Sequence, residues 1–222
     1  MIEVTRSDDV FVLRMVAEEN RFNPTMLDAF KAALDEVEAS EGPAAVVLTG
    51  EGKFFCNGLD LDWMMAAEEG GASMVVNGLQ ELYSRLVTFP TAVIAGVNGH
   101  AFAGGGMLAL ACDQRVMRND RGFFCLPEVD INIPFTKGMA SLVQAKLGPA
   151  AAYDTMLTGR RFAADDAVAA GIADIAVVED QVLPEAIQRA QALAGKTRST
   201  VGAIKQVMYS EVVAGLAETV AF

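Results

Sequence analysis

The chain has 222 residues, a formal net charge of −12, a hydrophobic share of 52% and a charged share of 21%. That length suits one compact domain with its own core, and the composition excludes an intrinsically disordered chain. The negative charge argues against nucleic acid and anionic lipid as partners. The three cysteines (Cys56, Cys112 and Cys125) contain no CxxC pair, which excludes a disulfide framework and a zinc spacing.

In chain order, Ile2 and Val4 alternate with polar residues, Ser7-Asp8-Asp9 is turn-like, and 10–16 reads as the second strand of a hairpin. Asn23-Pro24 opens a helix whose buried face is Met26, Leu27, Phe30, Ala33, Leu34 and Val37; Glu41-Gly42-Pro43 ends it. Residues 44–48 form a short apolar run suited to a strand buried on both faces. A helical stretch is expected over 61–87, broken near Gly70-Gly71, and Pro90 precedes a second buried strand at 92–97. Residues 98–106 read as a loop, 107–111 as a short apolar helix, and 115–117 and 123–126 as short strands. After Pro134 the chain reads as helical, with breaks at Gly148-Pro149, Thr158-Gly159 and Gly171, and further helices are expected at 183–194 and 200–213. Strands alternating with helices predict an α/β fold with substantial parallel pairing.

Met1 to Val16 carries charges among its apolar residues, so no secretory signal is expected there. The window between Arg85 and Asp113 has no charge, but Pro90, Asn98-Gly99 and Gly104-Gly105-Gly106 break it, so no membrane span is expected. A soluble, cytoplasmic protein with reduced, packing thiols is the expectation.

Three segments could carry chemistry. In Asn98-Gly99-His100-Ala101-Phe102-Ala103-Gly104-Gly105-Gly106 a buried strand feeds a glycine-rich loop at a helix start, where free N–H groups and the helix dipole attract negative charge. It lacks the Gly-Lys-Ser/Thr of a phosphate loop and the setting of a dinucleotide fold. An oxyanion hole and simple tight strand–helix packing remain. A second loop, Phe55-Cys56-Asn57-Gly58-Leu59-Asp60, also follows a buried strand and precedes a helix. In the third, Leu126-Pro127-Glu128-Val129, Glu128 stands among apolar residues that would desolvate it and make it a base, unless it is simply exposed. The single histidine, His100, removes most Ser-His and His-metal schemes and reads as structural. No metal site is expected: Asp60 and Asp62 read as caps of the following helix. Trp63, Met64, Met65, Met74 and Met107 are candidates for an acyl pocket or for the core, Asp130 for tuning Glu128, and Lys53, Lys137 and Lys205 for phosphate contacts.

Together, Val46-Val47-Leu48-Thr49-Gly50, Lys53 to Leu61, Pro90 to Gly106, Cys112-Asp113, Leu126-Pro127-Glu128-Val129 and Leu157-Thr158-Gly159-Arg160 resemble the crotonase superfamily, the enoyl-CoA hydratases and isomerases. The resemblance covers nearly the whole chain. It implies a crotonase-like spiral of β-β-α units over 1–195 and a shortened C-terminal helical segment over 196–222. It also implies an acyl-CoA thioester as substrate, no cofactor beyond that coenzyme A, and a homotrimer or hexamer.

Carried over position by position, the family's oxyanion hole falls on the backbone N–H groups of Leu59 and Gly104, and its acid/base on Glu128. Asn57, Gly58, Asp60, Gly105 and Met107 become substrate-binding candidates. The second glutamate of the hydratases falls on Met107, which cannot move a proton. Gly106-Met107-Leu108-Ala109-Leu110 and Glu128-Val129-Asp130-Ile131 are similar to the plant Δ3,Δ2-enoyl-CoA isomerases. The implied activity is therefore isomerisation of a C3 double bond to C2, in fatty-acid β-oxidation. The alternatives are hydration or another crotonase reaction, or a non-catalytic acyl-CoA-binding member.

Overall fold

In the computed structural model, which describes residues 1–221, the chain opens with the expected hairpin. β1 (Ile2–Ser7) and β2 (Val10–Met15) pair antiparallel around a turn in which Asp8 has φ 53°. The Asn23 side chain then caps α1 (Pro24–Ala39) by accepting from the Met26 amide at 3.0 Å. Pro24 sits where a missing N–H costs nothing. Met26, Phe30, Ala33, Leu34 and Val37 recur at helical spacing and are buried.

From β3 onward one unit occurs three times. β3 (Ala45–Gly50) leads to the short β4 (Phe54–Cys56), then α2 (Leu61–Ala66) and α3 (Gly71–Val87). β5 (Ala92–Val97) leads to β6 (His100–Phe102) and α4 (Gly104–Ala111). β7 (Gln114–Arg118) leads to β8 (Phe124–Cys125) and α5 (Lys137–Lys146). The long strands join β2 in parallel, and β9 (Ile175–Val177) completes the order β1-β2-β3-β5-β7-β9. The short strands build a second parallel sheet, β4-β6-β8. This is the expected spiral of β-β-α units.

β3 and β5 are buried at every position, because both faces of the large sheet are covered. Alternate residues serve two cores. Val46, Leu48, Val93 and Ala95 join the main core with Phe30, Leu34 and Tyr83. Ala45, Val47, Ala92 and Ile94 meet α8 (Glu179–Ala194) through Val182, Ala186, Ala190 and Ala194.

Several expectations are corrected. Residues 98–106 are not one loop: β6 lies inside them, and α4 starts at Gly104 rather than at Met107. Glycine is a poor helix former, by about 1 kcal/mol against alanine. Here tight packing overrides propensity, since a Cβ on Gly105 would lie 2.1 Å from the Cys56 carbonyl oxygen. The helix expected at 183–194 begins at Glu179, with Pro184 inside it. The helix expected at 200–213 divides at Tyr209 into α9 (Arg198–Met208) and α10 (Ser210–Leu216). The region after α5 holds α6 (Pro149–Thr158), α7 (Ala164–Ala169) and the unanticipated β9.

The C-terminal segment lies on the core. A Cβ on Gly138 of α5 would meet Leu216 Cα of α10 at 2.5 Å. Beyond α10, Asn77 of α3 exchanges two hydrogen bonds with the Val220 backbone (3.0 and 2.9 Å), and Gln80 Nε2 donates to the Glu218 carbonyl at 3.0 Å.

Candidate active site

Because β4, β6 and β8 are parallel, the residues that leave their C-terminal ends emerge at one end of the small sheet. Those residues are Asn57 to Asp60, Ala103-Gly104, and Leu126 to Glu128. They meet at a mostly apolar cavity of about 460 Å³, whose lining includes Asn57, Leu59, Gly104, Met107 and Glu128. α3 adds Val76 and Leu79 to the wall, and the segment before α5 adds Ile131, Ile133 and Phe135. A groove of about 540 Å³ between α1 and α3 is as roomy, but its charged side chains include Arg85, which is paired to Asp35 and Glu38.

At the first loop, Phe22 N–H donates to the Gly58 carbonyl (2.8 Å), and the Phe22 carbonyl accepts from Asp60 N–H (2.9 Å). This parallel bridge uses the groups on either side of Leu59 and turns the Leu59 N–H the opposite way. At the second loop, Ala103 N–H donates to the Cys125 carbonyl (2.9 Å), and the Ala103 carbonyl accepts from Met107 N–H (3.1 Å). Ala103 itself has φ 49° and ψ −122°, a conformation suited to glycine, worth about 1–3 kcal/mol of strain. The next N–H, that of Gly104, is the first of α4, where the helix leaves its amides unpaired and positive. The loops touch: a Cβ on Gly58 (φ +83°) would lie 3.3 Å from Gly104 N. Two unpaired amides beside one cavity can accept a developing negative charge.

Glu128 follows β8 in a tight turn, with Asp130 N–H and Ile131 N–H both donating to the Pro127 carbonyl (2.9 and 3.1 Å). The side chain is 6% exposed, and its Oε2 is buried with no hydrogen-bond partner among the described residues. Burial pushes its pKa up from 4.5 to about 7. Met107, on the second turn of α4, is buried in the same wall. Glu128 is the one carboxylate in the lining apart from Asp62 at the rim, which pairs with Arg21 at 3.0 Å.

The site candidates thus divide. Leu59, Gly104, Met107, Glu128 and Asn57 line the cavity; Gly58, Asp60 and Gly105 do not. Gly58 supplies the left-handed turn, and Gly105 lets α4 touch β4. Asp60 caps α2 by accepting from Trp63 N–H (3.1 Å) and takes a further bond from Asn23 Nδ2 (3.0 Å). Asn57 Nδ2 donates to Glu19 (2.7 Å), so its amide is engaged outside the cavity. Among the five acyl-pocket candidates only Met65 and Met107 reach the lining. Asp130 lies over Gly159, where a Cβ would meet its Oδ2 at 2.3 Å. Lys205 is buried and held by Asp113 (2.6 Å) and the Thr91 carbonyl (2.8 Å), Lys137 pairs with Glu218, and Lys53 lies over the Phe54 ring at 5.1 Å. None of the three lines the cavity. His100 packs among Phe54, Phe102 and Phe123, and burial lowers its pKa.

Sequence reasoning missed Arg21, Ile133 and Phe135, and named Ile131 only within the motif Glu128-Val129-Asp130-Ile131; Ile131, Ile133 and Phe135 alternate, and that alternation was the available signal.

The sequence profile of the family described as enoyl-CoA hydratase/isomerase matches residues 6–222. The chain belongs to that family. Enoyl-CoA delta isomerase 1, peroxisomal, of Arabidopsis thaliana is 35% identical over 79% of this chain and 75% of its own length. Among solved structures, a Mycobacterium tuberculosis protein, described in one determination as an enoyl-CoA isomerase in apo form and in another as a probable enoyl-CoA hydratase, superposes with a TM-score of 0.90 at 26% identity, over 97% of this chain and 93% of that one. An enoyl-CoA hydratase from Mycobacterium marinum superposes with a TM-score of 0.89, also at 26% identity, over 97% and 94%. The fold is thus that of the enoyl-CoA hydratase/isomerase family, and a crotonase-type reaction on an acyl-CoA thioester is what family members of both names have in common. No helix among the described residues is long and apolar enough to cross a membrane.

Proposed function

We propose that the protein is a Δ3,Δ2-enoyl-CoA isomerase. The observation that carries this reading is the composition of the wall around the two free amides: one buried carboxylate, Glu128, and a methionine, Met107, where a second acid would serve hydration. Relatives named as delta isomerases in the same family support it. The thioester oxygen accepts from Leu59 N–H and Gly104 N–H. Glu128, ionised, takes a proton from C2; the C2–H electron pair becomes the C1–C2 double bond and the carbonyl pair moves onto oxygen, giving a dienolate conjugated with the C3–C4 double bond. The protonated Glu128 then returns the proton to C4, leaving the double bond at C2. One carboxyl serves both steps because proton removal and return occur on one face of a short conjugated system. Each donor lowers the barrier by roughly 3 kcal/mol, the usual magnitude for oxyanion donors.

Asn57 and Met107 are the substrate-contacting residues in this reading, with Gly58, Asp60 and Gly105 as scaffold. No cofactor beyond the substrate's own coenzyme A is needed, since the proton moves within one molecule. Residues 1–195 act as the catalytic core and 196–222 as a helical segment buttressing it. A cytoplasmic location belongs to the same reading; the peroxisomal designation is the plant relative's. The test is double-bond migration in 3-hexenoyl-CoA, followed as the conjugated 2-enoyl product, with the Glu128→Gln protein as control. Migration by the wild type and none by the variant is the expected result; equal turnover by both contradicts the assignment.

A further inference from the structure

We infer that Tyr83 is a positioning residue for the oxyanion hole: its hydroxyl clamps the first residue of α4 and so aims the Gly104 N–H into the cavity. The inference rests on the isomerase-type, enolate-stabilising reading of this site and adds a residue to it.

Tyr83 lies on α3, fully buried, and its hydroxyl donates to the Gly104 carbonyl at 2.6 Å. A helix carbonyl ordinarily has an amide partner four residues on, so this second, side-chain donor is not needed to satisfy it. What it does is fix the position of Gly104. The N–H that faces the cavity belongs to the peptide just before, which joins Ala103 to Gly104. Ala103 holds φ 49° and ψ −122°, and a residue with a Cβ stays there only when its surroundings hold it. Three tethers do so: Ala103 N–H to the Cys125 carbonyl, Met107 N–H to the Ala103 carbonyl, and the Tyr83 hydroxyl one residue further. The first two are backbone bonds that any sequence makes. The third depends on a side chain, and it is the one contributed by α3.

The packing around Gly104 fits this role. A Cβ there would lie 3.2 Å from both the Tyr83 oxygen and Leu79 Cδ2, and 3.4 Å from Phe22 Cδ2. The residue is enclosed by Tyr83, Leu79 and Phe22, with the Tyr83 hydroxyl as the polar part of that enclosure. α3 also supplies Val76 and Leu79 to the cavity wall, so one helix both shapes the acyl pocket and braces the amide. Burial holds the Tyr83 pKa well above 10, so the phenol stays a donor throughout the working range.

The test uses Tyr83→Phe, with Leu82→Ala as a control. Leu82 is a buried neighbour on α3 that faces the α1 groove and lies outside the cavity lining. The infrared stretch of the thioester carbonyl is measured for a bound, unreactive saturated acyl-CoA, alongside kcat, KM and Tm. The wild type should shift the stretch to lower wavenumber on binding. Tyr83→Phe should lose much of that shift and about tenfold in kcat at unchanged KM, a fraction of what deleting an oxyanion donor does. Leu82→Ala should lower Tm as a cavity mutant does, yet keep the carbonyl shift and KM of the wild type. A full carbonyl shift with wild-type kcat in Tyr83→Phe overturns the clamp alone. A wild type that shows no shift at all overturns the enolate-stabilising reading and the clamp with it.

Discussion

At the scale of single residues, Glu128 is the side chain whose environment departs furthest from what water offers a carboxylate. Its pKa near 7 makes it a base matched to neutral pH. Because proton removal from C2 needs the ionised form, isomerase activity should rise with pH and level off above about 7. A pH–rate profile flat between 5 and 9 contradicts this. The same burial bears on stability. The folded pKa stands above the unfolded 4.5, so the favourable contribution of the neutral side chain is fully present below about pH 4.5 and is lost as pH rises through 7. Glu128→Gln should therefore be more stable than the wild type at pH 8, by roughly 3 kcal/mol at 1.4 kcal/mol per pKa unit, and equal to it at pH 4. Urea unfolding at the two pH values checks this, and a constant difference would show that burial is not the cause. Met107→Glu should add some hydration and lower Tm, since it places a new carboxylate at a position 3% exposed.

At the scale of elements, the chemistry depends on backbone more than on side chains. Leu59→Ala should keep most of the activity, because the N–H remains. Gly104→Pro should abolish it, because proline has none; circular dichroism establishes that the proline protein is folded. A Leu59→Ala protein as inactive as the proline variant means that the side chain matters and the donor assignment is wrong. Gly105→Ala should destabilise by roughly 1–3 kcal/mol and reduce activity, because its methyl meets the Cys56 carbonyl and separates α4 from β4. Thermal unfolding with a kinetic assay on the same sample measures both.

These elements also show what the sequence could and could not convey. The hairpin, the α1 cap at Asn23 and the two buried strands were legible because each follows a local rule. So was the order of the chemical pieces, and the structure brings Leu59, Gly104 and Glu128 to one cavity. The start of α4 was not legible: three consecutive glycines read as loop, and only the close contact of Gly105 with β4 explains why they are helical. β4 and β9 span three residues each, too few to show an alternation. Asp60 caps α2 as its position before that helix predicts, but the motif alone could not show that neither it nor Gly105 lines the cavity. Both stand inside the motif, but one points its carboxylate at a helix end and the other faces a strand. Tyr83 gave no local signal, since its partner lies 21 residues away.

At the scale of the whole molecule, the family fold brings three strand ends of one small sheet to a single cavity. Ile204, Val207 and Met208 on α9 are 55%, 78% and 64% exposed and form an apolar stripe. Assembly as a homotrimer or hexamer is expected, and light scattering that finds a monomer alone at micromolar concentration contradicts it. The central claim concerns the reaction. One preparation should be given 3-hexenoyl-CoA and crotonyl-CoA in parallel, with double-bond migration and water addition followed separately. Because a missing acid/base partner lowers rates by about 10²–10⁴-fold, migration should exceed hydration by at least about two orders of magnitude. Hydration of crotonyl-CoA outpacing isomerisation of 3-hexenoyl-CoA would contradict the account.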